Sequence, residues 1–159
     1  MTLRILQTTW QQHQIELSAL RRQVFIEEQR VPEDLEWDDQ DPVATHFLVL
    51  DENRAAIATA RVVSESSNCI RIGRFAVRAD QRRRGVGARL LREILAWARE
   101  QGFDEVVLSA QLSAVAFYEA AGFIAYGDTY LDAGIEHRSM TLSFLSASSG
   151  LGNNESDDA

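Results

Sequence analysis

Apolar positions along this chain change their spacing several times, and each change marks a predicted element. Arg4 to Thr9 reads as a short first strand. A helix follows, in which Leu17, Leu20 and Val24 fall three and four apart, with Phe25 and Ile26 widening the apolar face. It is expected to fade by Arg30, because Pro32 disfavours helical geometry at Val31. His46 to Leu50 and Ala55 to Val63 read as two strands, and the polar connection Asp51-Glu52-Asn53-Arg54 has hairpin length, so they should pair antiparallel.

The fourth strand, Cys69 to Val77, breaks its own alternation. Ile70 and Ile72 stand at even positions, whereas Phe75 and Val77 stand at odd ones. A strict period of two cannot bury both pairs on one face; one extra residue at Gly73-Arg74, a β-bulge, restores the inward direction and bends the strand. Beyond a basic turn, a helix from Gly85 to Gln101 buries Leu90, Leu91, Ile94, Leu95 and Ala98, with Gly102 placed as its C-terminal cap. Val106 to Leu108 lacks alternation, as expected of a strand covered on both faces and parallel to the fourth. A helix from Ser113 to Ala121 stops at Gly122, and strands follow near Phe123 to Tyr126 and Glu136 to Phe144. The expected organisation is one domain over 1–145 and a disordered polar tail over 146–159.

Composition narrows the function. Hydrophobic residues make up 45% of the chain and charged ones 25%, the balance of a folded globular protein. No apolar run reaches membrane-spanning length and no leader pattern precedes Trp10, so a cytoplasmic protein without membrane association is expected. A net charge of -8 argues against nucleic acid as partner and favours a cationic one such as an amine. Within that charge the stretch from Pro32 to Pro42 is strongly acidic around Trp37, and reads as a solvated loop with a helical turn that could attract such an acceptor. The single cysteine, Cys69, reads as a buried strand thiol, and no ligand spacing supports a metal site.

Candidate chemistry centres on Arg82-Arg83-Arg84-Gly85-Val86-Gly87. Glycine at a helix start costs on the order of 1 kcal/mol relative to alanine, and that cost needs a reason. Strand, glycine turn and helix in that order form a bowl of free N–H groups at the positive end of the helix dipole. Neither the Walker loop nor the dinucleotide fingerprint fits this spacing; a solvated basic turn with a glycine cap does. The remaining pattern, Arg-x-x-Gly-x-Gly at Arg82, Gly85 and Gly87, resembles the acyl-CoA signature of the GNAT superfamily. The stretch S-A-V-A-F-Y-E-A-A-G-F, Ser113 to Phe123, is similar to that superfamily's late motif, and Arg22 to Gln29, Leu108 to Gln111 and Gly134 to Met140 resemble its ElaA-type branch.

The resemblance, which covers residues 3 to 144, implies an α/β fold of the α+β kind: a mixed central sheet of about six or seven strands with a splayed parallel pair, flanked by helices. It implies an acetyl-CoA-dependent N-acetyltransferase acting on a small-molecule or peptide amine by direct attack in a ternary complex. Amides from Arg83 through Arg84, Gly85, Val86 and Gly87 to Ala88 would hold the pyrophosphate, with Arg82 adding charge. The backbone of Phe75, Ala76 and Val77 would pair with the pantetheine arm, the Phe75 N–H polarising the thioester carbonyl. Tyr118 would be the general acid, and Ser113 would cap its helix or touch the cofactor. Glu28, Glu36, Asp38, His46 and His137 are the candidate bases, with Glu28, Glu36 and His137 placed near the acceptor. A homodimer is left open. Two other readings remain: a sensor that binds an acyl-CoA or metabolite without chemistry, and an enzyme like the acyl-homoserine-lactone synthases, which V-F-I-E-E-Q and E-W-D-D-Q-D resemble.

Overall fold

Strand β1 (Arg4–Thr8) ends where Thr9 turns extended and its side chain accepts from the Gln12 N–H, capping helix α1 (Trp10–Arg21). The predicted single helix then changes pitch: Arg22–Glu28 is π-helical, and Arg30 leaves it at φ +63 with the Val31 N–H bonded back to the Phe25 carbonyl. A helical turn, α2 (Glu33–Glu36), interrupts the acidic stretch. Strands β2 (Thr45–Leu50), β3 (Ala56–Ser66) and β4 (Cys69–Val77) follow as antiparallel neighbours. Helix α3 (Val86–Glu100) leads into β5 (Glu105–Gln111); a 3₁₀ turn, Leu112–Ala114, precedes helix α4 (Val115–Ala120). The hairpin of β6 (Ile124–Asp132) and β7 (Ile135–Ser143) closes the order.

The computed structural model describes residues 2–145, and the predicted polar tail at 146–159 lies outside the described residues. Its sheet is seven-stranded in the order β1-β2-β3-β4-β5-β7-β6, antiparallel except for β4 beside β5. One face carries α3 and α4 over the main core, where Ile57, Ile70, Ile72, Leu90, Leu91, Ile94, Val106, Leu108 and Met140 are buried. The other face takes Leu20, Val24 and Phe25 from α1 and the π-helix against Ala76. No helix among the described residues is long and apolar enough to cross a membrane.

Strands β3 and β5 each run three residues past the predicted end, to Ser66 and Gln111, and two larger differences lie further along the chain. Strand β6 runs six residues beyond Tyr126, to Asp132. Gly127 at φ +75 shifts the register between Tyr126 and Tyr130, and Ala133 and Gly134, both left-handed, make a two-residue hairpin turn. Helix α4 begins at Val115 with Ala114 as N-cap and no side-chain cap bond, so the expected capping by Ser113 does not occur; Ser113 lies exposed inside the 3₁₀ turn.

Candidate active site

Parity in β4 produces the central feature. Gly73 pairs with Arg61 and Ala76 with Thr59, so three steps along β4 match two along β3, and Arg74 carries the extra residue at φ +50. Phe75 and Val77 thereby join Ile70 and Ile72 in the main core while Ala76 turns to the opposite face, as the sequence predicts. The bend also takes β4 away from β5. Their parallel pairing covers only Cys69–Ile72 against Glu105–Leu108, and no ladder joins Gly73–Val77 to Ser109–Gln111. The two strands thus part beyond Ile72 and Leu108, leaving a gap with no β-ladder across it.

At the end of β4 the chain passes Arg83 at φ +63 and Gly85 at φ +81 before α3 begins. The first bond into the helix is Arg89 N–H to Gly85 O at 3.0 Å. Among the described residues, the main-chain N–H groups from Arg83 to Ala88 make no hydrogen bond. Unpaired donors at the positive end of a fifteen-residue helix suit an anion. Arg83 and Arg84 are exposed and join no ion pair among the described residues. Arg82 is committed elsewhere: its Nε donates to Val77 O at 2.8 Å and its Nη2 to Glu28 Oε1 at 2.8 Å, tying the turn to the π-helix.

Tyr118 stands on the α4 side of the gap, 7% exposed, its ring edge-on to Phe75, Phe117 and Phe123. The Gly-Phe pair that follows explains its placement. Gly122, at φ +103, donates to Glu119 O, and Phe123 donates to Tyr118 O at 3.1 Å, the two bonds of a Schellman cap with its accompanying apolar contact between Phe123 and Tyr118. Burial pushes the phenol above its ordinary value, so it holds its proton at neutral pH. Its hydroxyl has no hydrogen-bond partner among the described residues.

The acidic loop is corrected most. Glu36 and Asp41 are 3% and 2% exposed, and both bind Arg21, itself 1% exposed. Arg61 bridges Asp38 and Asp41 at 2.6 and 3.1 Å. Arg74, from the bulge, donates to Glu36 O at 2.9 Å and Asp38 Oδ2 at 3.3 Å, while Trp10 and Trp37 lie against the Arg21 guanidinium. These carboxylates hold α1, α2, β3 and β4 together and are not available to attract an acceptor. Burial raises the Glu36 carboxyl above its ordinary value even beside Arg74 and Arg21. The sequence reading missed Arg21, Arg61 and Arg74, because their acidic partners lie 15 to 38 residues away.

Of the remaining candidates, His46 is buried, with Nε2 3.0 Å from Asp41 O and its ring against Trp10. Glu28 holds Arg82 through both oxygens, which keeps its carboxyl below the ordinary range. His137 differs. Its Nδ1 lies 2.7 Å from Ile135 O and its ring stacks on Tyr130, in a face shared with Ser109, Gln111 and Gln29. Cys69 is buried in β4, where burial raises its thiol.

Comparison with known proteins agrees with this architecture. Residues 8–144 match the family model described as an acetyltransferase (GNAT) domain. The chain is 33% identical over 129 residues to the UPF0039 protein of Schizosaccharomyces pombe, covering 80% of this chain and 85% of that one. An acyl-CoA N-acyltransferase from Pseudomonas aeruginosa superposes at TM-score 0.80 with 27% identity, covering 89% of this chain and all of that one, 100%. Escherichia coli ElaA superposes at 0.79 with 26% identity, covering 88% and 99%. A CoA-dependent acyl-homoserine lactone synthase reaches 0.75 at 17% identity, covering 89% and 83%, a likeness of fold alone.

Proposed function

Because the chain belongs to the GNAT acetyltransferase family, we propose that it transfers an acyl group, acetyl in the simplest case, from CoA to a primary amine by direct attack in a ternary complex. The observation that carries this reading is the pairing of an unzipped parallel strand junction with a turn of unbonded amides at its mouth. The donor contributes an activated acyl group as a thioester. The rest is the work of this chain's own groups.

Amides from Arg83 to Ala88 are positioned to bind a pyrophosphate, and Arg83 and Arg84 can add charge to it. The gap-facing main chain of Phe75 to Val77 can take an extended amide-containing arm as an additional strand, with the Phe75 N–H available to a carbonyl oxygen that gains negative charge. Tyr118, protonated and without a competing partner among the described residues, can return a proton to a departing sulfur. Ser113, exposed and uncommitted to capping, stays a candidate for cofactor contact.

Acetyl-CoA at about 100 times its dissociation constant should stabilise the fold by roughly 2.7 kcal/mol, read as a rise in melting temperature, and a panel of amines should release free thiol. No shift with acetyl-CoA or longer acyl-CoAs overturns the donor assignment. Tyr118→Phe separates a catalyst from a sensor: turnover is expected to fall about 10²- to 10⁴-fold with the melting shift retained. Unchanged turnover would remove Tyr118 from the acid role.

A further inference from the structure

On the acyl-transfer reading a proton must leave the acceptor's ammonium before nitrogen can attack, and most of the carboxylates and imidazoles near the gap already have partners. Glu36 is held by Arg21 and Arg74, Asp38 by Arg61 and Arg74, Glu28 by Arg82, and the His46 Nε2 faces a buried carbonyl. His137, only half-buried where His46 is fully enclosed, keeps its Nε2 free of any partner among the described residues.

Its setting is specific. A backbone carbonyl can only accept, so Nδ1 carries the proton donated to Ile135 O, and the neutral ring presents the Nε2 lone pair. Tyr130 fixes the ring plane by stacking, and the Tyr130 hydroxyl is itself hydrogen-bonded to Ser109 on β5. His137 pairs in register with Gln111, three residues past the point where β4 and β5 separate. Alternation places it opposite Met140 and Leu142, which lie in the main core with Tyr118. The histidine and the tyrosine therefore stand on opposite faces of the sheet, with the gap between. Tyr130 is the titratable group packed on the ring; Gln111 and Gln29 are neutral; Glu136 and Arg138, its neighbours along β7, alternate to the other face.

We propose that His137 is the general base for the acceptor amine. Its Nε2 takes one proton from the ammonium, across roughly two strand spacings, about 10 Å, covered by the side chain and one bridging water. The amine lone pair forms the bond to the thioester carbonyl carbon, and the C–S bond breaks with its electron pair going to sulfur. Sulfur takes the Tyr118 proton; the surplus proton on the new amide nitrogen restores the phenol, and the His137 proton passes to solvent.

The test compares wild type, His137→Asn, His137→Gln and Glu28→Gln with acetyl-CoA and two probe amines: benzylamine, mostly ammonium at neutral pH, and 2,2,2-trifluoroethylamine, mostly free amine there. Asparagine can keep the donation to Ile135 O, so it guards against misfolding, and the melting shift with acetyl-CoA checks the fold of every variant. The expected result is a loss of about 10²- to 10³-fold in kcat/KM for benzylamine in both His137 variants. The acidic limb of the pH profile should disappear, and the loss with trifluoroethylamine should be about tenfold or less. Equal losses for both amines, an acidic limb that persists, or removal of that limb by Glu28→Gln instead would overturn the assignment. If wild type turns over neither amine, the acyl-transfer reading fails first.

Discussion

Glycine at position 85 is set by its φ of +81 with open space where a Cβ would stand, whereas Gly87 has no such backbone requirement and simply faces neighbouring side chains. A Cβ at 87 would lie 3.4 Å from Phe117 Cζ and from Val77 Cγ2, in contact with both side chains but without a clash, where α3 meets α4 and β4. The sequence reading gave both residues one reason, a bowl of free N–H groups at the start of the helix; the contact with Phe117 was invisible to it because that residue is thirty positions downstream. Gly85→Ala should cost roughly 1–2 kcal/mol, the penalty of a left-handed L-residue, measured by urea denaturation. A cost near zero would mean that the turn relaxes out of that conformation. Tyr118 was legible for a different reason: Gly122 and Phe123, which cap its helix, are themselves part of the recognisable stretch.

Among the elements, those with a strong period were readable, including the irregular one. The bulge in β4 followed from parity alone, since Ile70, Ile72, Phe75 and Val77 cannot share a face otherwise. The π-helix was not readable, because Arg22–Glu28 has the same apolar spacing as an α-helix and differs only in bonding. Nor was the ionic hub beneath it, where His46 closes one side. Burial, partly opposed by the Asp41 carbonyl, lowers the His46 pKa below the ordinary imidazole value of about 6.5. The unfolded chain then binds a proton that the folded chain refuses. Stability from this residue is full above about pH 6.5 and declines as pH falls toward the depressed folded value. Thermal melts from pH 7.5 to 5 should therefore fall more steeply for wild type than for His46→Gln, and parallel curves would show that another group governs this window.

For the molecule as a whole, the junction between the two halves of the sheet rests on a short parallel stretch of β4 and β5. Gap-facing amides in Gly73–Val77 and Ser109–Gln111 should exchange with solvent faster than those of the paired stretch, and slow by about tenfold or more on addition of acetyl-CoA. Equal protection on both sides of Ile72, with no ligand, would contradict an open junction. The mixed order of strands and the helix-covered core could be anticipated from the chain, but the second half of the outermost strand could not, because Gly127 and Asp128 interrupt its alternation. The phenol and the imidazole lie on opposite sides of one sheet, and the roles proposed for them require donor and acceptor to arrive through separate doors. Enlarging the room for one leaves the other's doorway untouched, so tolerance for longer acyl chains and tolerance for bulkier amines can be altered independently.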